Sequence, residues 1–139
     1  MSEDFELDSR LAADTLALAS WPLCEVRLMN EARYPWVILV PRVPGTTELY
    51  QLSEAERLQL DRESIFLGQS MMSALGGHKL NVAALGNVVR QLHIHHIVRY
   101  TDDAAWPAPV WGQFPVEPMT EALRQQRFDA LESLARPDW

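Results

Sequence analysis

Gln91-Leu92-His93-Ile94-His95-His96-Ile97 is the stretch on which the reading of this chain turns. Side chains alternate along a strand, which sends Gln91, His93 and His95 to one face and Leu92, Ile94 and His96 to the other. The segment reads as a buried-edge strand, part of a longer one from Val88 to about Tyr100. Leu92 and Ile94 anchor it in the core. Same-face neighbours stand roughly 6.5–7 Å apart, a spacing that suits several groups around one tetrahedral phosphate. A neutral imidazole can attack phosphorus while its neighbours hydrogen-bond the ring or the phosphoryl oxygens.

Two histidines two apart on a strand are also a common metal-ligand pair. Here the Asp/Glu upstream and the His downstream that would complete such a site are not evident. Strand alternation also turns His96 away from His93 and His95. No metal and no cofactor are therefore expected. A lone histidine is usually structural, whereas three fall within four residues here. His96, on the opposite face, reads as a packed structural histidine, and His78, after two glycines, as an exposed turn residue.

Outward from the motif, Leu80–Leu85 reads as a strand joined to the motif strand by a two-residue Gly86-Asn87 turn. Cys24, Val26 and Leu28 alternate with Glu25, Arg27 and Met29 in a half-exposed strand ending near Asn30. The continuous apolar run Trp36–Val40, stopped by Pro41, reads as its antiparallel partner covered on both faces. Asp8 or Ser9 caps a short first helix carrying Leu11, Thr15 and Leu18. Ser53 and Glu56 form a capping box for a helix to about Leu75, with Leu60, Leu67, Met71 and Ala74 as its apolar stripe and Gly76-Gly77 as its stop. Trp106–Gly112 is too rich in proline for a helix and predicts an ordered, aromatic-anchored loop. A C-terminal helix over about 117–135 ends before Pro137.

The 139 residues suit one domain with a real core. The formal net charge of −7 argues against polymeric nucleic acid and anionic membrane as partners, yet allows a small phosphorylated ligand. Cys24 is the only cysteine, so no intramolecular disulfide can form. No run approaches the roughly 18 apolar residues of a membrane span, and the acidic start lacks the features of a signal peptide. The expected location is cytoplasmic.

The ordered motifs resemble the histidine-triad (HIT) superfamily, whose pattern is His-φ-His-φ-His-φ-φ with φ apolar. Here Gln91 replaces the first histidine, and His96 stands at an apolar position. Pro35–Pro41 is similar to the family's Pro-Gly-His-X-Leu-Val-X-Pro stretch, with Asn30 as the polar residue ahead of it. Gly86-Asn87-Val88-Val89 is similar to Gly-Gln-Ser/Thr-Val, and Arg99 follows the motif as the family's Pro-Arg does. The resemblance covers about residues 23–112. With Ala105-Trp106-Pro107 and Val110-Trp111-Gly112 it looks like a small branch of uncharacterised bacterial HIT proteins.

The resemblance implies an α+β fold, an antiparallel sheet of about five strands with helices on one face plus the C-terminal helix, which the order of elements permits. It implies hydrolysis or transfer at the α-phosphate of a nucleoside phosphate adduct through a phosphohistidine. His93 matches the nucleophile and His95 the histidine that binds phosphoryl oxygens and helps the leaving group, while Gln91 orients His93 through a neutral hydrogen bond. Asn30 matches the ribose-binding residue, Asn87 a glutamine near the phosphate with Gly86 before it, and Val88 stands where many members carry a hydroxyl. The alternative is a nucleotide-binding protein with little or no turnover. A homodimer is expected, with Trp106 and Trp111 as interface aromatics; otherwise these rings cap the monomer's own core.

Overall fold

The computed structural model describes residues 4–135. Asp8 caps α1 (Ser9–Asp14), its carboxylate accepting from the Arg10 and Leu11 amides. Strands β1 (Thr15–Ser20), β2 (Cys24–Met29) and β3 (Trp36–Pro41) follow, then α2 (Glu54–Leu75), β4 (Lys79–Ala83), β5 (Ile94–Arg99) and α3 (Glu121–Ala130). The five strands form one sheet in the order β1-β2-β3-β5-β4, every neighbouring pair antiparallel. Ser53 and Glu56 make the capping box of α2, and Gly76 ends it in the left-handed conformation at φ 60°.

One sheet face is covered by α2 and the C-terminal elements. Val26 and Leu28 of β2, Val37 and Leu39 of β3, and Ile94 and Val98 of β5 meet Leu60, Leu67 and Met71 of α2 and Leu131 and Leu134 in one core. The stripe on α2 differs from expectation: Ala74 is exposed, while Glu63 is fully buried. Its carboxylate accepts the Leu23 and Cys24 amides at 2.8 and 3.0 Å, fastening the helix to the start of β2. The other face is also closed. Trp36, Ile38, Val40 and Ile97 pack with Leu11, Ala105 and Val110, and Phe5, Leu7 and Trp111 lie against them.

Four expectations require correction. Thr15 and Leu18 belong to β1, not the first helix, because β2 has a backbone edge that β1 satisfies, and sheet pairing overrides the helical preference of Leu and Ala. The motif strand is interior, between β3 and β4; the edges are β1 and β4. It is also shorter than expected. Ala83 pairs with His95, so residues 84–93 form a long connection and Gly86-Asn87 is no two-residue hairpin turn. The Leu92 amide donates to the Thr46 carbonyl at 2.9 Å, in the β3–α2 connection, which takes Gln91 and His93 out of the ladder. Finally, the C-terminal helix stops at Ala130 and continues as a 3-10 turn over Glu132–Ala135. Pro137 lies outside the described residues.

Candidate active site

His93 and His95 come together despite the change in strand length, their ring centres 4.8 Å apart. The His93 Nδ1–H donates to the Gln91 carbonyl at 2.7 Å. A carbonyl only accepts, so this bond fixes the tautomer and leaves the lone pair on Nε2. No described residue bonds that nitrogen, and it is not among the sealed, unpartnered side-chain atoms, which are Tyr34 Oη and Arg124 Nε. His93 lines a cleft of about 340 Å³ together with Gly86, Asn87, Gln91 and three residues absent from the sequence reading: Thr47, Glu48 and Arg90. Gly86 is there because the ring passes close by: a Cβ would sit 3.3 Å from His93 Cε1 and 2.6 Å from the Val89 carbonyl.

Arg90 is exposed at this cleft and has neither an ion-pair nor a hydrogen-bond partner among the described residues. Its position directly before the motif was a usable signal. Thr47 and Glu48 carried none, since the β3–α2 connection reaches the cleft through tertiary packing.

His95 is arranged differently. The Trp36 indole N–H donates to its Nδ1 at 3.0 Å. Its Nε2 lies 2.7 Å from the Leu85 carbonyl. An indole only donates and a carbonyl only accepts, so Nδ1 is bare and Nε2 carries the proton. Burial lowers the His95 pKa to about 4, opposed by the Leu85 bond and reinforced by His93. His95 is thus a neutral ring with both nitrogens engaged inside the protein. Trp111 stacks edge-on against it and against Trp36, at 5.1 and 5.8 Å. When Pro41 is aligned with the final proline of the stretch quoted above, Trp36 falls where that stretch has its histidine.

The remaining sequence candidates separate. Gln91 sits at the site, but its carboxamide turns away from His93: it accepts the Asp8 amide at 2.8 Å and donates to the Glu6 carbonyl at 2.9 Å. The expected orienting bond to His93 comes from its backbone instead. Asn30 lies beyond the Leu28–Val37 pair and His93 beyond the Leu39–Ile94 pair, so they sit towards opposite ends of β3. Asn30 Oδ1 accepts the Met119 amide at 2.9 Å. Val88 is 73% exposed and does not line the cleft. His96 faces α2, where the Ser64 hydroxyl meets its Nε2 at 2.7 Å. No group of three or more His, Cys, Asp or Glu able to hold a metal occurs among the described residues. No helix among them is long and apolar enough to cross a membrane.

A five-stranded antiparallel sheet with a long helix and a C-terminal helix, carrying motif imidazoles at the start of an interior strand, has the α+β architecture of the HIT fold. The HIT domain model matches residues 10–102, and the chain belongs to that family. A histidine triad protein of Marinobacter aquaeolei is 51% identical with a TM-score of 0.92, the match covering 96% of this chain and 97% of that one. One from Bradyrhizobium japonicum is 39% identical, TM-score 0.92, over 96% and 99% of the two chains. The diadenosine triphosphate hydrolase of Plasmodium falciparum, at 16% identity, TM-score 0.60 and coverage of 94% and 80%, shares the fold. Comparison with curated proteins gave no match.

Proposed function

We propose that the chain is a nucleotide hydrolase or transferase acting at the α-phosphate of a nucleoside phosphate adduct, with His93 as the nucleophile. The observation that carries this reading is the His93 tautomer at a polar cleft that His93 lines: Nδ1–H is held by the Gln91 carbonyl, and the bare Nε2 has no partner among the described residues. When phosphorus bonds to Nε2 the ring becomes cationic, and the Gln91 carbonyl stabilises that charge through the retained Nδ1–H bond. Asn87 and Arg90 line the same cleft, and we assign them to the phosphoryl oxygens. The family and the hydrolase that shares its fold support a nucleotide as the ligand. We also propose that the chain is one domain over residues 1–139 in a small bacterial branch of the family, a reading that Gln91 at the first motif position supports. The single buried Cys24 suits a reducing compartment such as the cytoplasm.

His93→Ala should abolish turnover and leave nucleotide affinity within about tenfold, or ~1.4 kcal/mol. Intact-mass spectrometry after rapid quench should find an acid-labile nucleotidyl adduct on His93. Activity retained in that variant, or an adduct on another residue, would overturn the assignment. Binding without turnover is the second reading. It is favoured by His95, whose ring nitrogens are both engaged inside the protein, and by the Gln91 carboxamide, which turns away from His93. Tight nucleotide binding with no product from any substrate would select it.

A further inference from the structure

We propose that Trp36 is a positioning residue that keeps His95 neutral by occupying its Nδ1, so that the site expels leaving groups departing as anions, a phosphate or diphosphate oxygen, and not amines. The inference rests on the nucleotidyl reading above and narrows its substrate class to phosphoanhydrides. A general acid beside the scissile bond must hold a proton it can give up. His95 does not. The indole N–H of Trp36 occupies Nδ1 at 3.0 Å, where a second proton would have to go, and Nε2–H is committed to Leu85 at 2.7 Å. The ring is 4% exposed, and Trp111 closes its remaining side. His93 is packed against His95, and a positive charge on it further disfavours protonation of His95. Arg90 suits the phosphate that such a substrate carries. It is a guanidinium at the His93 cleft, without a counter-ion among the described residues, in a chain of net charge −7.

The chemistry balances without a protein acid. The His93 Nε2 lone pair forms the bond to phosphorus. The bond from phosphorus to the bridging oxygen breaks, and that oxygen leaves as a phosphate anion with the electron pair. Water then attacks phosphorus, the P–N pair returns to Nε2, and the proton of the water passes to solvent. An amine cannot leave this way, because it must first be protonated.

Two measurements on the intact protein test the proposal. The first is nitrogen NMR of labelled imidazoles between pH 5 and 8. Wild-type His95 should stay neutral and Nε2–H throughout, whereas Trp36→Phe, which keeps a ring and frees Nδ1, should let the ring take up a second proton as the pH falls, with Nε2–H still held by the Leu85 carbonyl. An Nδ1–H tautomer or a titration in wild type, or an unchanged spectrum in Trp36→Phe, would sink this role of Trp36. Should that variant fail to fold, the wild-type spectrum decides alone. The second uses aryl esters of adenosine monophosphate with phenols of graded acidity, beside adenosine phosphoramidate. The phosphoramidate should be at least ~100-fold slower than the most acidic ester, the usual worth of a general acid. Equal rates would overturn the leaving-group assignment while the nucleotidyl reading stands. No turnover with any probe would overturn that reading and the assignment built on it, with the spectrum still deciding the role of Trp36.

Discussion

His96 spends both ring nitrogens inside the protein, Nδ1–H on the Ile94 carbonyl at 3.1 Å and Nε2 on the Ser64 hydroxyl. Burial lowers its pKa to about 4, as it does for His95, from an ordinary 6.5. Both rings are neutral when folded, and the unfolded chain takes up their protons first. Their contribution to stability is therefore complete above pH ~6.5 and is lost as pH falls from 6.5 towards 4. Each shift corresponds to a few kcal/mol, on the order of 3, and the adjacent positions make the two non-additive. Urea unfolding should weaken steeply across that window, and His96→Asn should flatten the slope by about half. A stability constant from pH 7 to 4 would contradict the buried neutral rings. Cys24 belongs to the same scale: burial, with Glu63 beside it, pushes its thiol far above the usual range, which leaves no thiolate for chemistry.

Among the elements, the N-terminal segment is the least expected. Phe5 and Leu7 lie on the second sheet face, and the Gln91 carboxamide clasps the backbone at Glu6 and Asp8. At this position a glutamine supplies both a donor and an acceptor at once, which the two faces of that backbone require. The same residue serves His93 through its carbonyl, so the two duties separate by mutation. Gln91→Ala removes two hydrogen bonds worth roughly 0.5–1.5 kcal/mol each and keeps the His93 contact. Amide exchange at Asp8 should quicken at least several-fold while the β5 amides stay protected. Unchanged exchange at Asp8 would show that the clasp does not hold the segment.

For the whole molecule the open question is assembly. Trp111 is packed on Trp36 and His95, and Trp106 against His78 and the Arg99 guanidinium, so these rings serve the monomer and lend no support to an interface. Exposed apolar residues also lie on α2 and β4. Leu58 and Ile65, seven apart on α2, are 66% and 62% exposed, and Val82 on the edge strand β4 is 50% exposed. We propose a homodimer through this helix and sheet edge, since an unpaired edge beside an apolar stripe offers a second copy both backbone pairing and burial. Sedimentation at micromolar concentration should show a dimer, and Ile65→Glu, a surface change on a helix, should shift it to monomer without loss of fold. A wild-type monomer at every concentration would remove the proposal.

The sequence by itself determined the features that depend on local chemistry. The capping box at Ser53, the glycine stop at Gly76, the alternation of β2 and the apolar run of β3 all follow from neighbouring residues, and the structure has each of them. The closeness of His93 and His95 and the turning away of His96 were legible in the same way. Tertiary structure alone decided whether Leu16 and Leu18 lie on a helix or a strand, because the free edge of β2 sets that choice and is invisible in their own sequence. It also decided where β5 begins, since the Leu92 amide is claimed by Thr46 from a distant connection. Above all it decided what each site residue does. A side chain's role depends on the partner that fills its hydrogen-bonding capacity, and for Gln91, Asn30 and His95 those partners are Glu6 and Asp8, Met119, and Trp36 and Leu85. Most of these lie tens of residues away, so only the folded chain brings them within bonding distance.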